Sequence, residues 1–169
     1  IPRELIKSLG MIKKAAVLTN FDLGKINHEF KDVIVKSCDE VISGKHDNQF
    51  IVDIFQTGSG TSSNMNINEV LSNRSNELLG KKLGEKTPVH PNDHINLGQS
   101  SNDTFPTAIN LSIVLCITEK LLPSLVDLKE SLDKKSDDFS DIVKIGRTHL
   151  QDATPITLGQ EFSGYAQMI

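Results

Sequence analysis

The longest regular feature of the sequence is a helical pattern of apolar residues in its second half. The pattern comprises Ile109, Ile113, Leu115, Ile117, Leu121, Leu122, Leu125, Leu128 and Leu132. This spacing places most of them on one face of an α-helix. Asn102 or Asp103 is suited to cap the helix, and Pro106 is expected in its first turn. Pro123 is expected to bend the helix rather than end it. A helix of this length is typical of a bundle of helices.

Two shorter apolar patterns of helical spacing occupy the first part of the chain. Residues 3–19 predict a first helix, with its lysines, Lys13 among them, away from the apolar stripe. Residues 23–43 predict a second helix, and Gly44 follows at the position of a C-terminal cap. The two helices are expected to pack against each other through their apolar faces.

The remaining segments are expected to be less regular. Residues 50–55 could form a short strand, and residues 84–102 predict a long loop. Residues 141–157 predict irregular structure, with Pro155 opening a last helical stretch. A helix predicted from residue 62 onward is rich in asparagine, which competes for backbone hydrogen bonds and therefore indicates a polar role.

These patterns predict an all-α fold of two parts. We expect an N-terminal helical domain at residues 1–98 and the first part of a long helical bundle at residues 99–169, with the boundary near Gly98. The chain lacks an initiating Met and stops at Ile169 inside an apolar helical pattern. We therefore expect it to be a piece of a longer protein.

Composition excludes several classes of partner. The 169 residues carry a net charge of -4, so the chain has no excess of basic residues to neutralise a nucleic acid backbone. Cys38 and Cys116 have no CxxC partner, which excludes a disulfide scaffold or a zinc ribbon and fits the reducing cytoplasm. Continuous apolar runs fall short of the roughly 18 residues that span a membrane, so we expect no membrane partner.

The first chemically informative segment is a glycine-rich loop. Residues 58–61, Gly-Ser-Gly-Thr, place the hydroxyls of Ser59 and Thr61 and the backbone of Gly60 before the start of a predicted helix. Unpaired N–H groups and the helix dipole make such a position attractive to anions. A dinucleotide fingerprint would need a third glycine where Ser63 stands. A plain turn with a helix cap is the structural alternative.

A second segment repeats this arrangement at the start of the long helix. Ser100, Ser101 and Asn102 supply two hydroxyls and an amide just before or within the first helical turn. Simple capping is again the alternative. Both segments suit a carboxylate better than a phosphate, because neither has the lysine that follows the loop in phosphate-binding P-loops.

Histidines mark two further segments. Thr148 and His149 lie in a polar loop where an imidazole can act as an acid or base, although a surface role is the alternative. Arg147 beside them is expected to pair with Asp152 or Glu161. His90 and His94 have the separation of a helical metal pair, but the intervening Pro91 argues against a helix, so no metal site is predicted. Met65 and Met168 are expected to fill the core.

Three strings of the sequence together resemble the class II fumarases of the fumarase/aspartase superfamily. They are QTGSGTSSNMNINEV at 56–70, HPNDH at 90–94 continuing to QSSNDTFPTA at 99–108, and GRTHLQDA at 146–153. The resemblance also runs through the predicted helices between them and covers essentially the whole chain. It implies a lyase that adds water to fumarate to give L-malate in the tricarboxylic acid cycle.

The resemblance also implies an assembly, a set of site residues and no cofactor. The assembly is a homotetramer with a long central bundle and active sites shared between three subunits, in the cytoplasm or the mitochondrial matrix. His149 would hold the catalytic histidine position. Substrate carboxylates would contact Ser59, Gly60, Thr61, Ser100, Ser101, Asn102 and Thr148, and a second dicarboxylate site would comprise His90, Pro91, Asn92 and Asp93.

One part of the implied machinery has no counterpart in these residues. In the family a serine in a Gly-Ser-Ser loop removes the proton, and this sequence contains no Gly-Ser-Ser. We therefore expect the chain to be inactive alone. Aspartate ammonia-lyase is the alternative activity, although Thr148-His149-Leu150 and Ser100-Ser101-Asn102 favour fumarase. A non-catalytic helical fragment with a dicarboxylate pocket is the alternative of another class.

Overall fold

The computed structural model describes residues 1–169 and is mainly helical. Its α-helices are α1 (Arg3–Asp22), α2 (His28–Ile42), α3 (Thr61–Leu78), α4 (Ser101–Cys116), α5 (Leu122–Asp138) and α6 (Leu158–Met168). Its two strands, β1 (Val143–Thr148) and β2 (Gln151–Thr157), form one antiparallel hairpin. The predicted all-α class is confirmed, with this hairpin as an addition.

The chain forms two compact units, Ile1–Leu115 and Cys116–Ile169, each of which is described by itself. The dividing point lies inside the long helical segment rather than near Gly98. The expected domains at residues 1–98 and 99–169 concern the whole protein and stay a prediction.

In the first unit, α1, α2 and α3 pack around an apolar core. The core includes Ile6, Leu9, Val17, Ile34, Cys38, Val41, Ile67, Leu71, Val89 and Ile95. Gly10 lets α1 approach α2 closely, because a Cβ there would lie 3.0 Å from the Ile42 side chain. Residues 50–55 form no strand, and both Ile51 and Phe55 are exposed.

One prediction for α1 is wrong in a way that matters for the site. Lys13 does not lie off the apolar stripe but is fully buried. It stands four residues after Leu9 and four before Val17, so all three share one face of the helix. The apolar periodicity therefore indicated a buried position for Lys13. The prediction was wrong because it placed the residue outside the apolar stripe on account of its charge.

The asparagine-rich helix α3 is polar inside, because its side chains hold the neighbouring loops. Asn76 accepts a hydrogen bond from the Val89 N–H at 2.9 Å and donates to the Val89 carbonyl at 3.0 Å. Asn73 accepts one from the Gly84 N–H at 2.7 Å. These bonds replace secondary structure for the long loop that was predicted at 84–102. Within that loop, Pro91–Ile95 form a single π-helical turn.

Helical structure continues from Ser101 to Asp138, with one irregular turn. Ser100 caps the start of α4, since its Oγ accepts from the Asn102 N–H at 3.3 Å and its carbonyl from the Thr104 N–H at 2.9 Å. The cap therefore falls before Asn102, and Pro106 lies in the second turn. A π-helical turn at Ile117–Leu121 precedes Pro123, which stands in the first turn of α5.

The same helical segment is long and apolar enough to cross a membrane. Its most apolar window has a mean hydropathy of 1.6, although core helices of soluble proteins pass this test as well. Many of its apolar side chains are exposed, among them Ile109, Ile113, Ile117 and Leu121.

In the second unit, the prediction of irregular structure at residues 141–157 is wrong, because residues 143–157 form a β-hairpin. Val143 pairs with Thr157 at its open end and Thr148 with Gln151 at its turn, with a register shift between Ile145 and Arg147. The turn residues of the hairpin have positive φ, a conformation usually supplied by Asn-Gly and not signalled by His-Leu.

The last helix starts at a capping box rather than at Pro155, which lies in β2 opposite Ile145. The Thr157 Oγ1 accepts from the Gln160 N–H at 3.1 Å, and the Gln160 Oε1 accepts from the Thr157 N–H at 2.9 Å. Met65 and Met168 are 49% and 75% exposed, so the prediction that they fill the core is wrong for the described chain.

Candidate active site

The glycine-rich loop ends in a tight left-handed turn at the start of α3. Gly60 has a φ of 65° and is the residue before the first helical position, Thr61. The Ser59 Oγ lies 3.1 Å from the Thr57 Oγ1 and 3.1 Å from the Thr61 Oγ1, so three hydroxyls form a row beside the helix start. Ser59 is exposed, and the first N–H groups of α3 have no carbonyl partner within the helix. This end of α3 can bind a carboxylate.

The second segment is built in the same way at the start of α4. Ser100 and Asn102 are exposed, and Ser101 is half-buried. The Ser100 hydroxyl keeps its own proton free to donate, because its oxygen only accepts from the Asn102 N–H. Two hydroxyls, an amide and a helix N-terminus thus stand together.

The structure brings these two segments together within the first unit. The Asn64 Nδ2, one turn into α3, donates to the Ser101 Oγ at 2.9 Å. The ring of Phe105 lies directly against Gly60, where a Cβ would come within 2.1 Å of it. Two helix N-termini with hydroxyl side chains therefore lie side by side, which is an arrangement suited to an anion with two charged ends.

A partly buried polar network lies behind these segments and was not predicted from the sequence. The Lys13 Nζ donates to the Asn96 Oδ1 and to the Gln99 Oε1, both at 2.9 Å. The Asn64 Nδ2 also donates to the Asn96 Oδ1, at 3.1 Å. Burial lowers the pKa of Lys13 to about 7. The signal in the sequence was a lysine at an apolar position of α1, between Leu9 and Val17.

The third segment lies in the second unit, at the tip of the hairpin. His149 and Leu150 form its turn with φ of 46° and 62°, and both are exposed. Non-glycine residues in this region store strain and are found at functional sites more often than elsewhere. The Arg147 Nη1 lies 3.5 Å from the Asp152 Oδ1, while Glu161 pairs with Lys144 instead. Of the two acids expected for Arg147, Asp152 is confirmed.

The 90–94 segment is a single π-helical turn held together by its own histidines. The His90 Nδ1 accepts from the N–H groups of Asn92 and Asp93 at 3.3 and 3.2 Å. The His94 Nδ1 accepts from the His90 N–H at 2.8 Å, and burial lowers the pKa of His94. The expectation that no helical turn forms here is wrong, because Pro91 stands at its first position, where it is tolerated. Both histidine Nδ1 atoms therefore accept hydrogen bonds from backbone N–H groups of this segment.

Comparison with known proteins decides the family. A sequence model described as lyase matches residues 1–169. The chain belongs to this lyase family. A curated fumarate hydratase class II from Methylorubrum extorquens is 56% identical, with 99% of this chain and 36% of the relative covered. The resemblance to class II fumarases is therefore confirmed.

Solved structures of the lyase family have the same fold as this chain. The class II fumarase of Schistosoma mansoni superposes with a TM-score of 0.93 at 54% identity and covers 99% of this chain. The fumarate lyase:delta crystallin of Brucella melitensis superposes with a TM-score of 0.94 at 44% identity and covers 98%. The chain spans 35% and 38% of those two chains, little more than a third of their length.

Proposed function

We propose that the protein to which this chain belongs is a class II fumarase, a hydro-lyase that interconverts fumarate and L-malate. The observation that carries the proposal is the pairing of two hydroxyl-bearing helix starts, joined by the hydrogen bond between Asn64 and Ser101. Fumarate carries a carboxylate at each end, and each helix start offers donors to one carboxylate. The relatives named fumarate hydratase support the choice of substrate.

The chemistry requires fixed donors where charge accumulates. Removing a proton from the carbon beside a carboxylate spreads a second negative charge onto the carboxylate oxygens. In our proposal the hydroxyls and amide of Ser100, Ser101 and Asn102, together with those of Ser59 and Thr61, supply these donors. Because they are held in place before the substrate arrives, they stabilise the transition state without reorganising.

The remaining parts of the site are proposed to come from elsewhere in the assembly. Thr148 and His149 would approach the substrate from another subunit of a homotetramer, with His149 in the catalytic position. The serine that removes the proton would be supplied by a part of the protein outside these 169 residues. On this proposal the isolated chain has no hydratase activity. His90, Asn92 and Asp93 would contribute to a second dicarboxylate site.

Proton NMR of fumarate incubated with the protein from its full reading frame tests the activity. We expect malate both in plain buffer and with added ammonium. Aspartate that forms only with ammonium would instead identify aspartate ammonia-lyase, the alternative activity. If the folded protein gives neither product, the hydratase proposal is wrong.

A matched pair of variants tests whether the glycine-rich loop binds the substrate. Ser59→Ala removes an exposed hydroxyl that contacts only the hydroxyls of Thr57 and Thr61. We expect kcat/KM for fumarate to fall by about 100-fold, which is typical for one donor to a developing oxyanion. Ser112→Ala removes a hydroxyl of α4 that donates to the Ile109 carbonyl at 2.7 Å, and should leave kcat/KM unchanged.

A further inference from the structure

Lys13 is a buried cation whose acceptors are neutral. Its side chain is fully buried on the face of α1 that carries Leu9 and Val17, and its ammonium donates to the amide oxygens of Asn96 and Gln99. Burying an ammonium costs free energy, and amide oxygens offset less of it than a carboxylate would. The same position could be filled by an apolar side chain if only core packing were required.

The two acceptors of Lys13 belong to the segment that leads into α4. The Asn96 Nδ2 donates to the Gln99 carbonyl at 3.1 Å, and the Gln99 Nε2 donates to the Ile95 carbonyl at 2.9 Å. These two bonds hold residues 95–99 together, and both side-chain amide oxygens accept from the ammonium. Ser100, the cap of α4, follows directly.

A second path runs from the same network to Ser101. The Asn96 Oδ1 accepts from Lys13 and also from the Asn64 Nδ2, at 3.1 Å, and Asn64 donates to the Ser101 Oγ. Asn96 must present its oxygen to these two donors, and this orientation leaves its Nδ2 to donate to Gln99. Lys13 is therefore linked to residues 100–102, the serine segment, by two paths. One path runs through Gln99 and the other through Asn96 and Asn64.

We propose that Lys13 is a positioning residue that holds the Gln99–Asn102 segment in the orientation in which Ser100, Ser101 and Asn102 receive a carboxylate. The role of this carboxylate in hydration rests on the proposed function. Without the ammonium, the Gln99 Oε1 would lose its donor and the Asn96 Oδ1 would keep only Asn64. Partly buried acceptors without donors favour rearrangement of the loop, and a site misplaced by about 1 Å can lose much of its activity.

Hydrogen–deuterium exchange in the full-length protein tests the positioning directly. Lys13→Met keeps the length of the side chain and removes its donors. We expect the amides of residues 96–104 to exchange at least about tenfold faster, as the loss of hydrogen bonds from a charged group would cause. Peptides covering 143–157 should not change. Lys14→Met is the matched control, because Lys14 pairs at 2.6 Å with Asp39 of α2 and has no bond to the serine segment.

Kinetics separate positioning from general destabilisation. Lys13→Met should raise KM for fumarate about tenfold when it is measured at a pH where its melting temperature matches that of the Lys14→Met control. In a double variant, Lys13→Met should add no more than about twofold to the loss caused by Ser101→Ala, because both act on the same contacts between the carboxylate and residues 100–102. Effects that simply multiply would overturn the proposal, as would unchanged exchange at 96–104.

A second variant guards against misfolding. Gln99→Met removes one acceptor of Lys13, together with the Gln99 Nε2 bond to the Ile95 carbonyl, and leaves the bond from Lys13 to Asn96. It should raise exchange at 100–104 and KM in the same direction. If Lys13→Met does not fold, this variant decides the proposal by the same criteria. A wild-type protein that forms no malate would refute the proposed function, and the exchange experiment would still decide the role of Lys13.

Discussion

Gly60 combines a left-handed backbone with a close contact, since its φ is 65° and a Cβ would come within 2.1 Å of the Phe105 ring. Gly60→Ala should destabilise the full-length protein by roughly 2–5 kcal/mol, because strain and overlap add at this position. Gly58 lies two residues earlier, with ordinary φ and nothing within 4 Å of its Cβ position. Thermal melts of both alanine variants should therefore differ sharply, and similar melting temperatures would contradict the packing of Phe105 on this turn.

Lys13 makes a pH-dependent contribution to stability. Its pKa is lowered from 10.5 to about 7 in the folded chain by burial. Between these values the unfolded chain keeps a proton that the folded chain has lost, so stability rises with pH, by up to about 1.4 kcal/mol per unit. The contribution is complete above pH 10.5 and disappears as pH falls through about 7.

Unfolding in urea at several pH values checks this sign. The difference in unfolding free energy between wild type and Lys13→Met should move in favour of wild type as pH rises from 7 to 9. The Lys14→Met variant should follow wild type throughout. A difference that does not change with pH would show that the Lys13 ammonium is not desolvated.

At the scale of single residues, the hydroxyl side chains at the helix starts could be predicted from the sequence. The buried and half-buried side chains that contact these segments could not. Hydroxyls before a helical pattern are informative because capping and anion binding both need them there. The sequence did not predict the network of Lys13, Asn96 and Gln99, because it depends on long-range contacts. Lys13 is separated from its two partners by 83 and 86 positions in the sequence. The apolar spacing around Lys13 was the available signal.

Among the elements, α5 and α6 meet at a glycine that admits no side chain. A Cβ on Gly159 would lie 2.3 Å from the Ser136 carbonyl oxygen and 2.9 Å from the Ser140 Cα. Gly159→Ala should separate the helices and cost about 1–3 kcal/mol. Gly164, in the same helix, has nothing within 4 Å. Gly164→Ala should raise the free energy of unfolding by about 0.5–1 kcal/mol, because alanine has the higher helix propensity.

Chemical denaturation of the two variants measures this contrast. The unfolding midpoint should fall for Gly159→Ala and rise for Gly164→Ala, relative to wild type. Equal shifts of one sign would mean that α6 does not pack on α5 in this register.

Helices were predictable at the scale of elements, and the hairpin was not. Three-to-four spacing of apolar residues marks a helix even where it has one exposed side. The first strand lacks that advantage, because Val143 and Ile145 alternate with Lys144 for only three residues before Gly146, which is too short a pattern to distinguish a strand. The turn of the hairpin at His149 and Leu150 is formed by residues that rarely adopt positive φ.

For the whole molecule, the helical segment from Ser101 to Asp138 leaves an apolar stripe uncovered. Ile109, Ile113, Ile117 and Leu121 recur every four residues and are between 39% and 51% exposed. Exposed stripes of this kind bind other helices, as expected for subunits that share a bundle. Ile113→Asp should therefore reduce the sedimentation coefficient of the full-length protein.

The control for this prediction is Lys134→Glu, a charge reversal at an exposed position of α5. Its sedimentation should match that of wild type. If Ile113→Asp also sediments as wild type, the stripe is not an interface between subunits. Recovery of the wild-type protein in the membrane fraction would point to lipid as the partner of the stripe.

Family and fold class could be predicted from the sequence, because three motifs in order are more specific than any single one. The assembly could not be derived from apolar spacing alone, because an exposed apolar face does not identify the partner that binds it. The relatives at over 50% identity supply the fold by comparison.

The buried amine of Lys13 also has a consequence for chemical labelling. A lysine with a pKa of about 7 is about half uncharged in neutral buffer and would ordinarily be the fastest to react with an acylating reagent. Enclosure in the first unit reverses that order, because the reagent cannot reach the amine until the chain opens. An acetyl group found on Lys13 would therefore record that the molecule was modified while open, before folding or during a transient unfolding event.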